Sequence, residues 1–312
     1  MTEGLGLIGN ASIPPPRNIL LSYAYYRRID VDKMRYCRII ADSGAFTLKT
    51  QGKAVSTNQL AAWTKKWEDR LSWVACLDVE SQRQTRHNWL AMVNDHQLPA
   101  VSTLHAGDVF EDEIDWYADQ GVDFLGIGGV AGRNLSPATS FKWMTSVFKY
   151  CRDNHPAMRF HGWGMTGKDA LRLPFFSVDS SGWGGAYRYG RIMLRHPVSG
   201  KNISVALDGK AIFKNKDVGR LLADCYGVTP SQIAKAGPHN RELLVKLSAL
   251  SASVQEQRWR AQFRNHPVTS PKWGRLKGWG FEDDVDGPHI HLVDGYLPHM
   301  QAVSDLVRDQ HV

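Results

Sequence analysis

The fold is indicated first by residues 38–46, which read RIIADSGAF. A short apolar run ends at Asp42, and a glycine turn and an aromatic side chain follow at once. A similar order returns at residues 175–183, which read FFSVDSSGW and place Asp179 directly after the apolar part. Both stretches are typical of a buried strand that ends in a loop, where functional side chains are often placed.

Outward from these stretches, short apolar runs alternate with longer amphipathic runs from residue 19 to about residue 178, which is the pattern of βα units. We predict strands at 19–25, 38–41, 73–77, 100–104, 124–127, 158–161 and 175–178. We predict helices at 57–69, 83–95, 110–120 and 137–154. An eighth strand is expected at 191–194 or 203–207.

This series predicts an α/β fold, a (β/α)8 TIM-like barrel, with an open doubly wound sheet as the alternative. The barrel is favoured because unusual polar residues and glycines follow successive strands, and in a barrel those positions converge on one mouth, where active sites are built. The residues in question are Asp42, Asp78, His105, Gly128, Gly129, Gly162 to Gly164 and Asp179.

The chain divides by composition into a barrel at 1–200 and a basic, mainly helical C-terminal extension at 201–312. The net charge is +7, but residues 184–277 alone carry 17 basic and 5 acidic side chains, a net charge of +12. Such a surplus favours a polyanionic partner, while a solvated helical surface is the alternative. Two short helices at 217–225 and 229–235 have helix-turn-helix spacing, which many helical hairpins share.

The cellular setting is predicted from what the sequence contains. The four cysteines are far apart, which indicates free thiols in a reducing compartment. The sequence has no apolar stretch of the length that a membrane span requires and no signal-peptide pattern at its start. We therefore expect a cytoplasmic protein with no membrane partner.

Asp42 and Asp179 are the candidate chemical pair. Two carboxyl groups facing a glycosidic bond are what glycosyl transfer requires, because one attacks the anomeric carbon while the other moves a proton. Taken singly, an aspartate at a strand end is also common as a turn or cap residue. The repetition of acid, small residues and aromatic in two loops favours the catalytic interpretation.

These residues carry a resemblance to a known family. Residues 42–46 resemble the DSGGF motif of tRNA-guanine transglycosylases, and residues 77–78, 126–129, 161–164 and 178–179 follow the order of that family's strand-end motifs. The similarity is closest to the phage DpdA-like branch, which exchanges guanine in DNA for a 7-deazaguanine such as preQ0. It covers about residues 18–195, and it would place a phage-encoded protein in the host cytoplasm.

The resemblance implies roles for individual residues. Asp179 would be the nucleophile that captures C1′ of the sugar, and Asp42 would be the general acid and base. Asp78 would bind the N1–H and 2-amino group of the base, and the target nucleotide would leave its stack. The other base-binding candidates are Ser43, Phe46, His105, Gly128, Gly129, His161 and Trp163. The candidates for nucleic-acid binding are Trp183, Tyr187, Arg188, Arg191 and Arg195.

The resemblance is not complete. The tRNA enzymes carry a zinc site of three cysteines and a histidine after the nucleophile strand, whereas this chain has only Cys225 in its C-terminal part. No metal and no cofactor are therefore expected, although His289, His291 and Asp294 form a weaker metal hypothesis.

Three alternatives stay open. The first is the same chemistry on tRNA, with RNA in place of DNA as the partner. The second is a non-catalytic nucleic-acid-binding barrel in which both aspartates are structural. The third is a metabolic barrel enzyme that uses residues 126–129 as a phosphate loop. The sequence does not predict the oligomeric state.

Overall fold

A computed structural model describes residues 13–79, 81–129, 135–184, 188–189, 191–206, 216–236, 241–273 and 286–309. Its centre is a sheet of short parallel strands that helices surround. The first eight of these strands are β1 (Asn18–Ser22), β2 (Arg38–Asp42), β3 (Leu71–Ala75), β4 (Ala100–Val101), β5 (Thr103–His105), β6 (Phe124–Gly128), β7 (Arg159–Gly162) and β8 (Ser177–Ser180).

The sheet closes nearly completely on itself. β4 and β5 are separated by Ser102 alone, and they form the two ends of the sheet. β4 pairs with β3 and β5 pairs with β6, so one continuous stretch of chain joins both ends. The predicted α/β fold with a TIM-like barrel is thus confirmed.

β4 and β5 together take the place of the single strand predicted at 100–104, so among the described residues the sheet has nine strands where eight were expected. The position of the last barrel strand also differs from the prediction. β9 (Arg191–Arg195) and β10 (Asn202–Ala206) pair antiparallel with each other in a separate hairpin. The missing strand is β11 (His289–Val293), which lies between β1 and β8 and pairs in parallel with both. An eighth strand at 191–194 or 203–207 is therefore wrong, and the barrel draws on chain from both sides of residue 200.

The helices begin where the sequence supplies caps. They are α1 (Tyr23–Tyr26), α2 (Ala45–Thr50), α3 (Thr57–Lys66), α4 (Gln82–Leu90), α5 (Glu111–Asp119), α6 (Pro137–Asn154), α7 (Lys216–Tyr226), α8 (Pro230–Ala236), α9 (Arg241–Gln262) and α10 (Leu297–Asp309). Ser56 caps α3 in a capping box with Gln59, and Ser136 caps α6 ahead of a proline at its first turn. The four helices predicted between the barrel strands are confirmed as α3 to α6.

The C-terminal part is helical, as predicted, in α7 to α9. α9 packs against β9, β11 and α10, and therefore connects the hairpin to the barrel. Its buried face includes Leu243, Leu247 and Leu250. In the part of the chain that the structure describes, no helix combines the length and apolar character needed to cross a membrane.

Two layers of apolar side chains hold the barrel together. The outer layer lies between the strands and the helices, and the inner layer fills the barrel itself. Trp73 belongs to the inner layer, and its ring meets those of Phe124, His161 and Trp163 edge-on at centroid distances of 5.3, 5.0 and 5.7 Å. A filled interior is usual in barrels and leaves the carboxyl ends of the strands as the place for a site.

Candidate active site

A cavity of about 1060 Å³ opens at the carboxyl ends of the barrel strands. Nine of the ten residues predicted for catalysis and base binding line it together: Asp42, Ser43, Phe46, Asp78, His105, Gly128, Gly129, Trp163 and Asp179. The tenth, His161, is buried beside Asp179 and is not among the lining residues. The barrel topology thus brings together residues that are up to 137 positions apart, from Asp42 to Asp179.

Asp42 ends β2 and is held by the turn that follows it. Gly44 has a φ of +66°, and a Cβ at this position would lie 2.6 Å from the backbone nitrogen of Ala24, so only glycine fits there. Burial raises the pKa of Asp42 to about 6, and the charges of Asp179 and Asp78 add to the rise. The Gly44 amide and the Ser22 hydroxyl act in the opposite direction.

Asp179 is the last residue but one of β8 and is more deeply buried, with only 9% of its surface exposed. Its Oδ1 accepts a hydrogen bond from the Gly164 amide at 2.9 Å and lies 3.3 Å from His161 Nε2. Burial raises the pKa of Asp179 to about 7, opposed by the amides of Gly164 and Asp179 itself. Between about pH 6 and pH 7 the two carboxyl groups can therefore hold one proton between them. Asp179 has the higher pKa, so this proton has to move to Asp42 before Asp179 can act as a nucleophile.

His161 is completely buried beside Asp179. Its Nδ1 lies 2.7 Å from Ser177 Oγ, and burial lowers its pKa to about 3, so the ring is neutral. A neutral imidazole has a single N–H. When Asp179 is ionised, the consistent arrangement has Nε2–H donating to Asp179 and Nδ1 accepting from the Ser177 hydroxyl. The sequence predicted a base-binding residue here, whereas the geometry makes His161 a support for Asp179.

Trp163 forms a wall of the cavity, and its ring lies where side chains at positions 126 and 128 would be. Its Nε1 donates to Thr103 Oγ1 at 3.1 Å, and its ring lies 4.3 Å from that of His161, centroid to centroid. A Cβ on Gly126 would overlap the indole nitrogen, and a Cβ on Gly128 would lie 3.2 Å from the Trp163 ring atom Cδ1 as well as 2.9 Å from Thr103 Cγ2. Both glycines are therefore needed for the tryptophan to reach this position, a role that the sequence did not reveal for Gly126.

Asp78 and His105 form a pair on the cavity surface. His105 Nε2 lies 3.0 Å from Asp78 Oδ2, which orients the carboxylate. The other oxygen, Asp78 Oδ1, is buried and has no hydrogen-bond partner among the described residues. A buried acceptor without a donor is uncommon in folded proteins, so this atom is suited to accept a hydrogen bond from a ligand.

Three of the residues predicted to bind nucleic acid, Trp183, Arg188 and Arg195, are described by the structure and do not line the cavity. Trp183 donates its indole N–H to the Val293 carbonyl at 3.0 Å. Arg188 forms an ion pair with the buried Asp294 at 3.2 Å, and Arg195 bonds Asn202 at 2.9 Å within the hairpin. Tyr187 and the side chain of Arg191 lie outside the described residues.

The histidines of β11 were the weaker metal hypothesis. His289 and His291 are both buried, and the ring of His291 lies 5.7 Å from that of His161 inside the barrel. Asp294 is engaged by Arg188 and lies 3.3 Å from His299. Within the described ranges, no group of three or more His, Cys, Asp or Glu side chains is arranged to hold a metal ion.

One interior residue beside the site, Trp73, was missed by sequence reasoning. Its position in a predicted strand was the available signal, because alternate positions of a barrel strand point inward.

Comparison of the chain with protein-family models, with curated proteins and with solved structures finds no match.

Proposed function

We propose that the protein is a transglycosylase that exchanges guanine in DNA for a 7-deazaguanine base through a covalent aspartyl-sugar intermediate. The observation that carries the proposal is the meeting of Asp42 and Asp179 in one barrel-mouth cavity, both with a raised pKa. The resemblance of residues 42–46 and 178–179 to guanine transglycosylase motifs supplies the substrate class.

In the first displacement, Asp179 attacks C1′ of the sugar. The hold of Gly164 and His161 on Oδ1 orients the carboxylate, so Oδ2 is the attacking atom. The bond from C1′ to N9 of guanine breaks, its electron pair goes to the departing base, and Asp42 donates a proton to that base. The products are free guanine and a sugar ester of Asp179.

The second displacement restores the enzyme. Asp42, now ionised, takes the N9 proton of the incoming deazaguanine, whose N9 attacks C1′ from the side that guanine left. The ester bond breaks and its electron pair returns to Asp179. Two inversions give net retention at C1′, and the proton that Asp42 lost is recovered.

Asp78 is suited to select the base. Both guanine and 7-deazaguanine present an N1–H and a 2-amino group on one edge, and a carboxylate can accept from both donors. Asp78 Oδ1 has no partner among the described residues, while Oδ2 is held by His105. A base without these donors would leave Oδ1 unsatisfied, which disfavours its binding.

The test is incubation of guanine-containing DNA with labelled preQ0, followed by nucleoside analysis. We expect label in DNA with the wild type, none with Asp179→Asn, because an amide is a poor nucleophile, and wild-type incorporation with Asp119→Asn, an exposed carboxyl on α5. A parallel incubation with tRNA separates the RNA alternative. Incorporation into neither nucleic acid would remove the transglycosylase proposal, and incorporation by Asp179→Asn would remove Asp179 as nucleophile.

A further inference from the structure

One wall of the cavity comes from α2 and the turn after it. This wall, which we call the α2 rim, consists of Phe46, Lys49, Thr50 and Lys53, all of which line the cavity. Phe46 is 76% exposed, and both lysines are exposed. The rim is therefore in contact with solvent at the place where a ligand enters.

The charges of the cavity are separated in space. Asp42, Asp78 and Asp179, from three different strand ends, make its inner surface acidic. Among the described residues that line it, Lys49 and Lys53 are the only lysines or arginines. A phosphate is repelled by the carboxylates and attracted by the ammonium groups, so the field orients a nucleotide with its base inward and its phosphates on the α2 rim.

The size of the cavity fits more than a base. At about 1060 Å³ it stands at the upper end of ordinary small-molecule sites, which span roughly 300 to 1,000 Å³. A base bound at Asp78 leaves room for the attached sugar and its phosphates. Phe46 adds an exposed aromatic surface beside the lysines, a combination that suits single-stranded nucleic acid because bases stack on such rings.

The basic residues predicted from the sequence are placed differently. Arg188 is paired with Asp294 and Arg195 with Asn202, and neither lines the cavity. The α2 rim is closer to the reacting groups because it follows Asp42 directly in the chain. Phe46, its first residue, lies only four residues after Asp42.

We propose that Lys49 and Lys53 form a phosphate subsite that binds the backbone phosphates flanking the nucleotide whose base enters the cavity. The inference rests on the proposed function for its ligand, since a nucleotide within a DNA strand carries a phosphate on each side. It assigns to α2 the task of holding the strand while the strand ends carry out the chemistry.

The test compares two small ligands by calorimetry on the full chain: deoxyguanosine 3′,5′-bisphosphate and deoxyguanosine. We expect the wild type to bind the bisphosphate about tenfold more tightly, the effect of two exposed charge contacts. Lys49→Gln/Lys53→Gln should lose this preference and keep its affinity for deoxyguanosine. Lys142→Gln/Lys149→Gln, with the same charge change on exposed positions of α6, should keep the preference.

The preference of the wild type should also fall as salt is raised, which provides a measurement that needs no variant. Equal affinity for both ligands in the wild type, binding of neither ligand, or a preference that survives in Lys49→Gln/Lys53→Gln would each overturn the subsite. If the protein exchanges bases in DNA but does not prefer the bisphosphate, the phosphate subsite is wrong and the proposed transglycosylase activity stands. If Lys49→Gln/Lys53→Gln loses the preference but the wild type shows no base exchange, the phosphate subsite stands and the proposed transglycosylase activity is wrong.

Discussion

The buried position of Asp179 lowers the stability of the folded chain when the carboxyl is ionised. Its carboxyl is taken out of water at the end of β8, and three donors, the amides of Gly164 and Asp179 and the ring of His161, do not fully compensate, since its pKa is still raised to about 7. A carboxyl whose pKa is higher in the folded than in the unfolded chain binds its proton more tightly when folded. Its contribution to stability is therefore complete at low pH and is lost as pH rises through the folded pKa.

This predicts that Asp179→Asn is more stable than the wild type at pH 8. The amide stays neutral, so the variant avoids the cost of burying a charge, which is on the order of 4 kcal/mol for a pKa of about 7 against an ordinary value near 4. We expect the difference in Tm between variant and wild type to grow from pH 4 to pH 7 and to reach several degrees. Thermal unfolding at a series of pH values measures it.

The difference in Tm between Asp179→Asn and the wild type separates the effect of Asp179 from that of His161. His161, whose pKa is lowered to about 3, makes both proteins less stable as pH falls below its ordinary range, and this effect largely cancels in the comparison. Asp119→Asn, on the exposed surface, should show no such pH dependence. A Tm difference that stays constant from pH 4 to pH 8 would mean that folding does not raise the pKa of Asp179.

At the scale of single elements, β6 and the loop after β7 depend on each other. Trp163 occupies the space that a side chain on Gly126 would need, and its Nε1 donates to Thr103 on β5. The glycine in β6 thus determines where the tryptophan wall of the cavity stands.

We expect Gly126→Ala to displace Trp163 and to lower the free energy of unfolding by about 1–3 kcal/mol, the usual cost of overpacking a core. Urea unfolding followed by tryptophan fluorescence measures it. Gly167→Ala is the matched control, because a Cβ there meets nothing within 4 Å. Combining Gly126→Ala with Trp163→Leu should recover part of the loss, and an unchanged stability of Gly126→Ala alone would contradict this packing.

The elements show what could be predicted from sequence. Strands such as β2 and β8 were located because an apolar run stops at an acid, and helix α6 because Ser136 and Pro137 mark its start. α2 was not predicted, since its six residues are too few to show a helical period. The pairing of His105 with Asp78 and the support of Asp179 by His161 also depend on contacts between strands, which no local pattern contains.

At the scale of the whole molecule, the sequence predicted the barrel but not its closure. β11 reads HIHLV, and its two histidines interrupt the apolar run by which the other strands were recognised in the sequence. Its partners are Ile19 at one end of the chain and Val178 in the middle, so only the three-dimensional arrangement of the other eight strands creates the gap that it fills.

This arrangement predicts that the barrel does not fold without its C-terminal segment. A chain ending at residue 287 lacks β11 and α10, which leaves β1 and β8 with open edges and removes the buried side chains Ile290, Leu292 and Val303 from the core. Unpaired edges expose backbone groups that favour aggregation. We expect loss of cooperative thermal unfolding, measured by circular dichroism and calorimetry, whereas a chain ending at residue 309, with α10 intact, should unfold as the full chain does. A peptide of residues 288–309 added to the shortened chain should restore part of the transition, because it supplies the strand that the other eight require. A cooperative, fully folded chain of residues 1–287 would show instead that β1 and β8 can pair directly and that β11 is an accessory strand.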